Sequence, residues 1–263
     1  MSWLDRETER ARSEGVEHPE NYPYLLQPHH PNGHGVVLIH GFGASPRELY
    51  PLGKTLQEHD FTVAGVRLPG HGTSPQDLKS RHATEWIDAA CAGYQALSEH
   101  ALRVSVGGLS TGALIALSLA ARQPVEKLLL LAPFMRLRHR LAPLAGVLSP
   151  LFSYQNRIIA EHERDFYYPQ RPLRGIAQIN KLLRQMPRIL PDISVPTLVL
   201  TSTGDATIAP GSAMQLYRQL GSPDKQIHCY GDEVPHVLTS PDNPHRDDVL
   251  ARCIAFFSQD RDV

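Results

Sequence analysis

The sequence predicts an α/β domain in which helices flank a mainly parallel central sheet and one segment is inserted as a cap. Three observations lead to this prediction. Short apolar segments alternate with helix-like stretches, several of these segments are apolar almost throughout, and one long stretch interrupts the alternation. The chain of 263 residues, 41% hydrophobic and 20% charged, suits one large domain better than two small ones.

Six apolar segments are predicted to be strands of this sheet. Their continuous hydrophobicity is typical of strands that are covered by helices on both faces. The predicted strands cover residues 35–40 (GVVLIH), 62–68 (TVAGVRL), 102–109 (LRVSVGGL), 127–133 (KLLLLAP), 197–202 (TLVLTS) and 225–230 (KQIHCY).

Helices are predicted between these strands. The first opens with a capping box from Ser45 to Glu48, with proline at the first helical position. A second begins near Thr84. A third follows Ser110 directly and is apolar on all sides, which predicts burial against the sheet. Two more are predicted over residues 212–220 and 245–258.

Residues 134–190 interrupt the alternation because no strand is predicted there. They carry ten Arg or Lys against three Asp or Glu, a net charge of +7, together with apolar clusters such as LAPLAGVLSPLF. So long an interlude predicts a cap inserted into a core formed by residues 1–133 and 191–263, the alternative being connecting helices that only cover the sheet. We expect apolar side chains such as Leu151 and Phe152 to form an acyl pocket, and the arginines to face water.

Composition excludes several classes of function. A formal net charge of −1 gives no reason to expect a nucleic-acid partner. Three widely spaced cysteines, Cys91, Cys229 and Cys253, indicate neither a disulfide framework nor a structural zinc site. The polar N-terminus lacks the apolar core of a signal peptide, and no apolar segment is long enough to span a bilayer. We therefore expect a cytoplasmic protein without stable membrane insertion.

The most informative motif is Gly-Leu-Ser-Thr-Gly at residues 108–112. It lies where an apolar strand ends and a buried helix begins, as a nucleophile elbow requires. Such a turn is too tight for side chains on either flank of the nucleophile, and it presents the serine hydroxyl near a helix N-terminus. This context predicts Ser110 as a nucleophile, the alternative being a tight turn that carries a serine without a catalytic role.

A nucleophilic serine needs a base and an orienting carboxylate, which on this kind of sheet follow in the order serine, acid, histidine. Asp205 follows one predicted strand and His236 follows the last, so both are expected at the carboxyl edge of the sheet. Asp232 is the rival acid, but it shares a loop with His236 and would have to fold back. His228, within a predicted strand, and His245, at a helix start, are placed less well than His236.

A glycine-rich loop, His-Gly-Phe-Gly at residues 40–43, follows the first core strand. A tetrahedral intermediate needs two backbone N–H donors, one from the residue after the nucleophile and one from this loop. That assigns the oxyanion hole to Thr111 and Phe42. We expect His40 to be structural, since a glycine-rich strand–helix turn could also explain the loop.

No cofactor or metal is expected. The sequence contains neither G-x-G-x-x-G nor the phosphate-binding G-x-x-x-x-G-K-[ST], and neither H-E-x-x-H nor a Cys/His cluster indicates a metal site.

Several segments together resemble the α/β-hydrolase superfamily, and within it bacterial carboxylesterases and monoglyceride lipases. They are HGFGASP, LPGHGTSPQDL, GLSTG, STGDATIAP and VPHVLTSPDNP, and the likeness extends from Gly35 to Phe257. The resemblance implies an α/β-hydrolase fold with an eight-stranded type of core, and a cap inserted after the strand that ends at Pro133. It also implies hydrolysis of short- to medium-chain acyl esters or monoacylglycerols.

Other functions remain open at this point. A thioesterase or amidase would use the same triad on another small-molecule substrate, and a ligand-binding protein could retain the scaffold without catalysis. Retention of the triad and of both oxyanion loops argues against the binding protein. Haloalkane dehalogenase chemistry requires a carboxylate in place of Ser110. The oligomeric state is not predicted.

Overall fold

The computed structural model describes residues 1–157, 159 and 161–259, with helices on both faces of a central sheet. Residues 158, 160 and 260–263, which belong to the predicted cap and to the second part of the core, lie outside the described residues. The strands in the described part of the chain are β1 (Tyr24–Leu26), β2 (His34–Ile39), β3 (Thr62–Val66), β4 (Arg103–Leu109), β5 (Leu128–Leu131), β6 (Tyr154–Asn156), β7 (Gln170–Pro172), β8 (Thr197–Ser202) and β9 (Lys225–Tyr230).

The central sheet is mainly parallel, as predicted. Its strand order is β1-β3-β2-β4-β5-β8-β9, and only β1 is antiparallel to its neighbour. The sheet thus has seven strands among the described residues, one fewer than the resemblance implied. Before β1 the chain forms a helix and no further strand, so β1 is the one antiparallel strand at this edge of the described sheet.

Helices cover both faces of the sheet. In the described residues they are α1 (Trp3–Ser13), α2 (Tyr50–Glu58), α3 (Pro75–Ser80), α4 (Ala83–Ser98), α5 (Thr111–Ala120), α6 (Ala145–Leu148), α7 (Leu173–Ile189), α8 (Ser212–Gln219) and α9 (Arg246–Ser258). Alternate side chains of a strand point to opposite faces. Val37 and Leu130 therefore pack with α4, α5 and α7, whereas Val36 and Leu129 pack with α2 and α9.

The capping box predicted from Ser45 to Glu48 is wrong. Residues Pro46–Leu49 form a 3₁₀ turn without a side-chain cap, and the α-helix begins only at Tyr50. The carboxylate of Glu48 instead accepts a hydrogen bond from the backbone N–H of Gly41, at 2.7 Å. The Glu48 carboxylate, which the local sequence pattern assigned to the start of the helix, therefore binds a backbone donor outside the helix instead.

The expectation that residues 134–190 contain no strand is also wrong. The three-residue strands β6 and β7 pair antiparallel with each other, apart from the central sheet. They are too short and too polar for hydrophobic alternation to reveal them. The rest of this segment consists of 3₁₀ turns, the short α6 and the long α7.

The N-terminal segment forms a helix that the sequence analysis did not predict. In α1 the side chain of Ser2 accepts from the N–H of Asp5, and the Asp5 carboxylate accepts from the N–H of Ser2. Trp3 and Ala11 anchor the helix in the core. None of the helices in the described ranges has the length and hydropathy needed to cross a membrane.

Candidate active site

The turn between β4 and α5 holds Ser110 in a strained backbone conformation. Its φ of 57° and ψ of −117° are rare for a residue with a side chain, and such strain costs about 1–3 kcal/mol. A Cβ at Gly108 would lie 2.2 Å from the carbonyl oxygen of Gly112, and a Cβ at Gly112 would lie 2.1 Å from that of Ile39. Both flanks of Ser110 therefore require glycine, as predicted.

The structure brings Ser110, His236 and Asp205 together through two hydrogen bonds. The Oγ atom of Ser110 lies 2.8 Å from Nε2 of His236, and Nδ1 of His236 lies 2.5 Å from Oδ2 of Asp205. A neutral imidazole that carries its proton on Nδ1 donates to Asp205 and leaves Nε2 able to accept the serine proton. Asp205 follows β8 and His236 follows β9, so the carboxyl ends of adjacent parallel strands position both side chains.

Asp205 is buried and fully engaged by hydrogen-bond donors. Its Oδ1 accepts from the backbone N–H of Thr207 at 2.7 Å and of Ile208 at 3.0 Å, while its Oδ2 faces His236. Burial opposes ionisation, but the hydrogen bond from His236, the charge of His236 and the two N–H donors outweigh it and hold the pKa of Asp205 below its ordinary value. Asp205 is therefore a carboxylate that can orient the imidazole and stabilise its protonated form.

The rival residues lie elsewhere. Asp232 is exposed and accepts a hydrogen bond from the hydroxyl of Thr203. His228 stacks edge-on against Tyr230, with ring centroids 4.5 Å apart. On the surface, Nε2 of His245 lies 2.9 Å from Oε1 of Glu233. Among the histidines whose side chains the structure describes, only His236 lies within hydrogen-bonding distance of the Ser110 hydroxyl.

The loop after β2 carries Phe42 beside Ser110, and both residues line the same cavity together with Thr111. Thr111 is the first residue of α5, where backbone N–H groups have no acceptor within the helix. The N–H of Gly41 is already used by Glu48. A Cβ at Gly175 would lie 2.4 Å from the Phe42 ring, so α7 packs directly on this loop.

Two buried histidines support the loop from below. Nε2 of His40 accepts the N–H of Leu68 at 3.1 Å, and its Nδ1 lies 2.8 Å from the carbonyl oxygen of Gly41, so His40 is structural, as expected. Burial lowers the pKa of His40 to about 3 and that of His71 well below its ordinary value. Both rings are therefore neutral, and His71 packs edge-on against His40 and Phe42.

A cavity of about 930 Å³ opens above Ser110 and His236. Its apolar lining comes mostly from the segment between β5 and β8, with side chains that include Leu141, Ala145, Leu148, Phe152, Ile176 and Ile179. Large side chains are also exposed there, among them Val147 and Leu151. Of the two side chains that the sequence analysis singled out for the pocket, Phe152 lines the cavity and Leu151 does not.

A polar part of the same lining was not predicted. Glu48, Arg157, Tyr167 and Arg171 line the cavity, so the expectation that the arginines of this segment all face water is wrong for Arg157 and Arg171. Arg138 and Arg140 also line the cavity, but they are exposed, as expected. The Tyr167 hydroxyl donates to Oε1 of Glu48 at 3.1 Å, and burial raises the pKa of Glu48 despite this bond and that from Gly41. No local pattern marks these residues, because they meet across more than a hundred positions of sequence.

The sequence is similar to those of known hydrolases. The family model described as serine aminopeptidase S33 matches residues 30–240. The chain is 27% identical over 231 residues to a thermostable monoacylglycerol lipase from Bacillus sp. (strain H-257). The matched region covers 86% of this chain and 90% of that protein. It is 26% identical to a carboxylesterase from Bacillus subtilis (strain 168), across 78% of this chain and 85% of that protein.

Among solved structures, one from a study of the metagenome-derived lipolytic enzymes LipS and LipT is similar with a TM-score of 0.82 at 23% sequence identity. The similarity covers 91% of this chain and 98% of that one. At this identity the likeness concerns the fold, which is that of the α/β-hydrolases.

Proposed function

The chain belongs to the serine aminopeptidase S33 family of hydrolases, and we propose that it cleaves carboxylic esters of short- to medium-chain acids, or monoacylglycerols, through an acyl-enzyme on Ser110. The observation that carries this proposal is the hydrogen-bonded chain from Ser110 through His236 to Asp205, placed beneath a largely apolar cavity. The lipase and esterase activities named for the relatives support it.

In the proposed mechanism, His236 removes the proton of the Ser110 hydroxyl as Oγ attacks the ester carbonyl carbon. Asp205 holds the imidazole in the required tautomer and stabilises its charge. His236 then gives the proton to the leaving alcohol oxygen, and the acyl group remains on Ser110. Water then enters and attacks the acyl carbon as His236 takes its proton. His236 gives this proton to Oγ of Ser110 as the bond between Oγ and the acyl carbon breaks, which releases the carboxylic acid and restores the serine.

The tetrahedral intermediates carry a negative charge on the former carbonyl oxygen. We assign its stabilisation to the backbone N–H groups of Phe42 and Thr111, which act in a site partly shielded from water. Thr111 begins α5, so the positive end of the helix dipole adds to this stabilisation. Loss of one oxyanion donor in other hydrolases costs about 10²–10³ in kcat.

Residues 134–190 are proposed to act as a cap on a core formed by residues 1–133 and 191–263. Three contacts with the loop after β2 support this proposal. The N–H of Tyr168 donates to the carbonyl of Gly43 at 3.2 Å, Tyr167 binds Glu48, and α7 packs on Phe42. The cytoplasmic location expected from the N-terminal sequence stays a prediction, and no cofactor enters the proposed mechanism.

Peptide hydrolysis, as the description of the family suggests, is the second candidate. An aminopeptidase substrate carries an α-ammonium group, which needs carboxylates in the pocket. In the described lining Glu48 is the one carboxylate, against Arg138, Arg140, Arg157 and Arg171. This charge balance disfavours an ammonium substrate. A thioester or a simple amide would use the same triad, and parallel assays with ester, thioester and amide substrates of one acyl group separate these possibilities.

The decisive experiment combines a covalent probe with substitution. A fluorophosphonate should label Ser110 in the native protein, and Ser110→Ala should lower kcat for 4-nitrophenyl butyrate by about 10⁴ or more while the protein stays folded. Ser118→Ala is the matched control, because Ser118 is a buried serine of α5, the helix that follows Ser110, and its hydroxyl donates to the Leu114 carbonyl. Labelling at another residue, or full activity of Ser110→Ala, would exclude the proposed nucleophile.

A further inference from the structure

Two arginines reach the cavity from the antiparallel pair of short strands β6 and β7 and the residue that follows β6. Arg171 belongs to β7, and Arg157 follows β6, where its N–H donates to the carbonyl of Pro169 at 2.8 Å. Both side chains line the cavity that contains Ser110 and His236. The guanidinium of Arg157 lies 5.3 Å from the centre of the Tyr167 ring, within the range of a cation–π contact, so that this side chain is held in place.

Within the part of the chain that the structure describes, the two guanidinium groups lack a direct counter-ion. Glu48 lines the same cavity, but its oxygens already accept from the Gly41 N–H and the Tyr167 hydroxyl. Among the described residues, no carboxylate forms an ion pair within 4.0 Å with Arg157 or Arg171. Two positive charges therefore face one carboxylate, whose own pKa is raised by burial. This part of the cavity carries a local excess of positive charge.

Arg171 is the less satisfied of the two. Its Nε atom is buried and has no hydrogen-bond partner. Burial, together with the neighbouring charge of Arg157, lowers the pKa of Arg171 to about 10. A buried donor without an acceptor is energetically unfavourable. The Nε and one Nη of a guanidinium form a parallel pair that matches the two oxygens of a carboxylate.

The position of these arginines relates them to the leaving group. Glu48 interacts electrostatically with Arg157 and with His236. Its carboxylate also holds the loop that carries Phe42, through the hydrogen bond from the Gly41 N–H. His236 is the residue that gives its proton to the leaving oxygen in the proposed mechanism. The apolar side chains of α6 and α7 line the same cavity and suit an acyl chain.

We propose that Arg157 and Arg171 form a subsite for a carboxylate carried by the alcohol part of the ester, so that the preferred substrates have an anionic leaving group. The proposal rests on ester hydrolysis as the proposed function. A bound carboxylate would accept from the unpartnered Nε of Arg171 and balance the excess charge. The positive wall would also disfavour substrates with a cationic group.

The test compares 4-acetoxybenzoate with its neutral analogue 4-acetoxybenzamide, which differ at the leaving group only. In Arg171→Gln, and separately in Arg157→Gln, the ratio of kcat/KM for the anionic to the neutral ester should fall by about tenfold or more, mainly through KM, since a charge-assisted hydrogen bond is lost. Arg174→Gln is the matched control, because Arg174 lies three residues further along, is exposed and does not line the cavity. Its ratio should equal that of the native protein.

Two further measurements keep the outcome unambiguous. Calorimetric binding of 4-hydroxybenzoate to native protein and to Arg171→Gln needs no turnover, and affinity should fall about tenfold or more in the variant. 4-Nitrophenyl hydrogen succinate places the carboxylate on the acyl side instead. An unchanged ratio in both variants, or an arginine-dependent preference for the succinate alone, would overturn the proposal. Absence of hydrolysis of the neutral ester would count against the proposed function, and the binding measurement would still decide on the subsite.

Discussion

The two sides of the cavity are built in different ways. On the core side, the ends of parallel strands position Ser110, Asp205 and His236, and backbone atoms approach so closely at Gly112 that a single Cβ would lie 2.1 Å from a carbonyl oxygen. On the other side, the described part of residues 134–190 forms turns, two short strands and helices with exposed apolar side chains. At Gly146 the nearest atom to an added Cβ is 3.7 Å away, and at Gly175 the close neighbour is the Phe42 side chain and not backbone. From this difference we expect chemistry to depend on backbone geometry with little latitude, and substrate choice to depend on side chains that can change.

The largest effect is expected from Gly112→Ala on the core side of the cavity, and Gly146→Ala is the matching substitution on the other side. In Gly112→Ala the new methyl group collides with backbone oxygens of Ile39 and His40, which cannot move independently of β2, so we expect destabilisation by about 3 kcal/mol or more and loss of activity. Gly146 lies in α6, where alanine favours the helix by about 0.5–1 kcal/mol, so Gly146→Ala should unfold at the same temperature or slightly higher.

Thermal unfolding and hydrolysis of 4-nitrophenyl butyrate by both variants measure this difference. Similar stability losses at the two glycines would contradict the contrast between the two sides.

An intermediate effect is expected from apolar side chains on the variable side. Each additional buried methylene contributes about 0.8 kcal/mol, or about fourfold in kcat/KM, until the pocket is full. Phe152→Ala should lower kcat/KM for the longest well-accepted acyl chain by about fourfold to fifteenfold, since the ring no longer covers one or two methylenes. Leu151→Ala is the control, because Leu151 is 78% exposed and does not line the cavity.

The measurement is a series of 4-nitrophenyl esters of increasing acyl length for each variant. If Leu151→Ala changed the dependence of kcat/KM on acyl length and Phe152→Ala did not, the acyl chain would lie outside the cavity above Ser110.

The smallest expected effect compares the two buried carboxylates through the pH dependence of stability. The pKa of Asp205 is lowered in the folded protein, so ionised Asp205 stabilises the fold above its ordinary pKa of 3.8, and this contribution is lost as the pH falls towards the folded value. Burial raises the pKa of Glu48, so its contribution is complete below the ordinary value of 4.5 and is lost as the pH rises through the folded value.

The melting temperature of the native protein relative to Asp205→Asn should therefore decrease as the pH falls below about 4. Relative to Glu48→Gln it should decrease as the pH rises above about 4.5, and we expect both changes to be about 5 °C or less. Calorimetric melting from pH 3 to pH 8 measures both trends. The same pH trend in both comparisons would show that the two carboxylates do not differ in this way.

Much of the fold was predictable because its signals are local. The strand positions follow from apolar segments such as LLLL at Leu128–Leu131, all of whose side chains are buried. The turn at Ser110 follows from two glycines within five residues. The order of Ser110, Asp205 and His236 along the chain, with each residue after a strand, sufficed to predict that they meet, since parallel strands end at the same edge of a sheet.

The sequence by itself thus determined the fold class, the strained turn and the grouping of Ser110, Asp205 and His236, because each depends on neighbouring residues or on the regular geometry of parallel strands. Only the tertiary structure decided the partner of Glu48. A local helix cap competed with the N–H of Gly41 and the hydroxyl of Tyr167, and the two distant donors prevailed. The same holds for Arg157 and Arg171. Their side chains enter the cavity because β6 pairs with β7, and no spacing in the sequence encodes that contact.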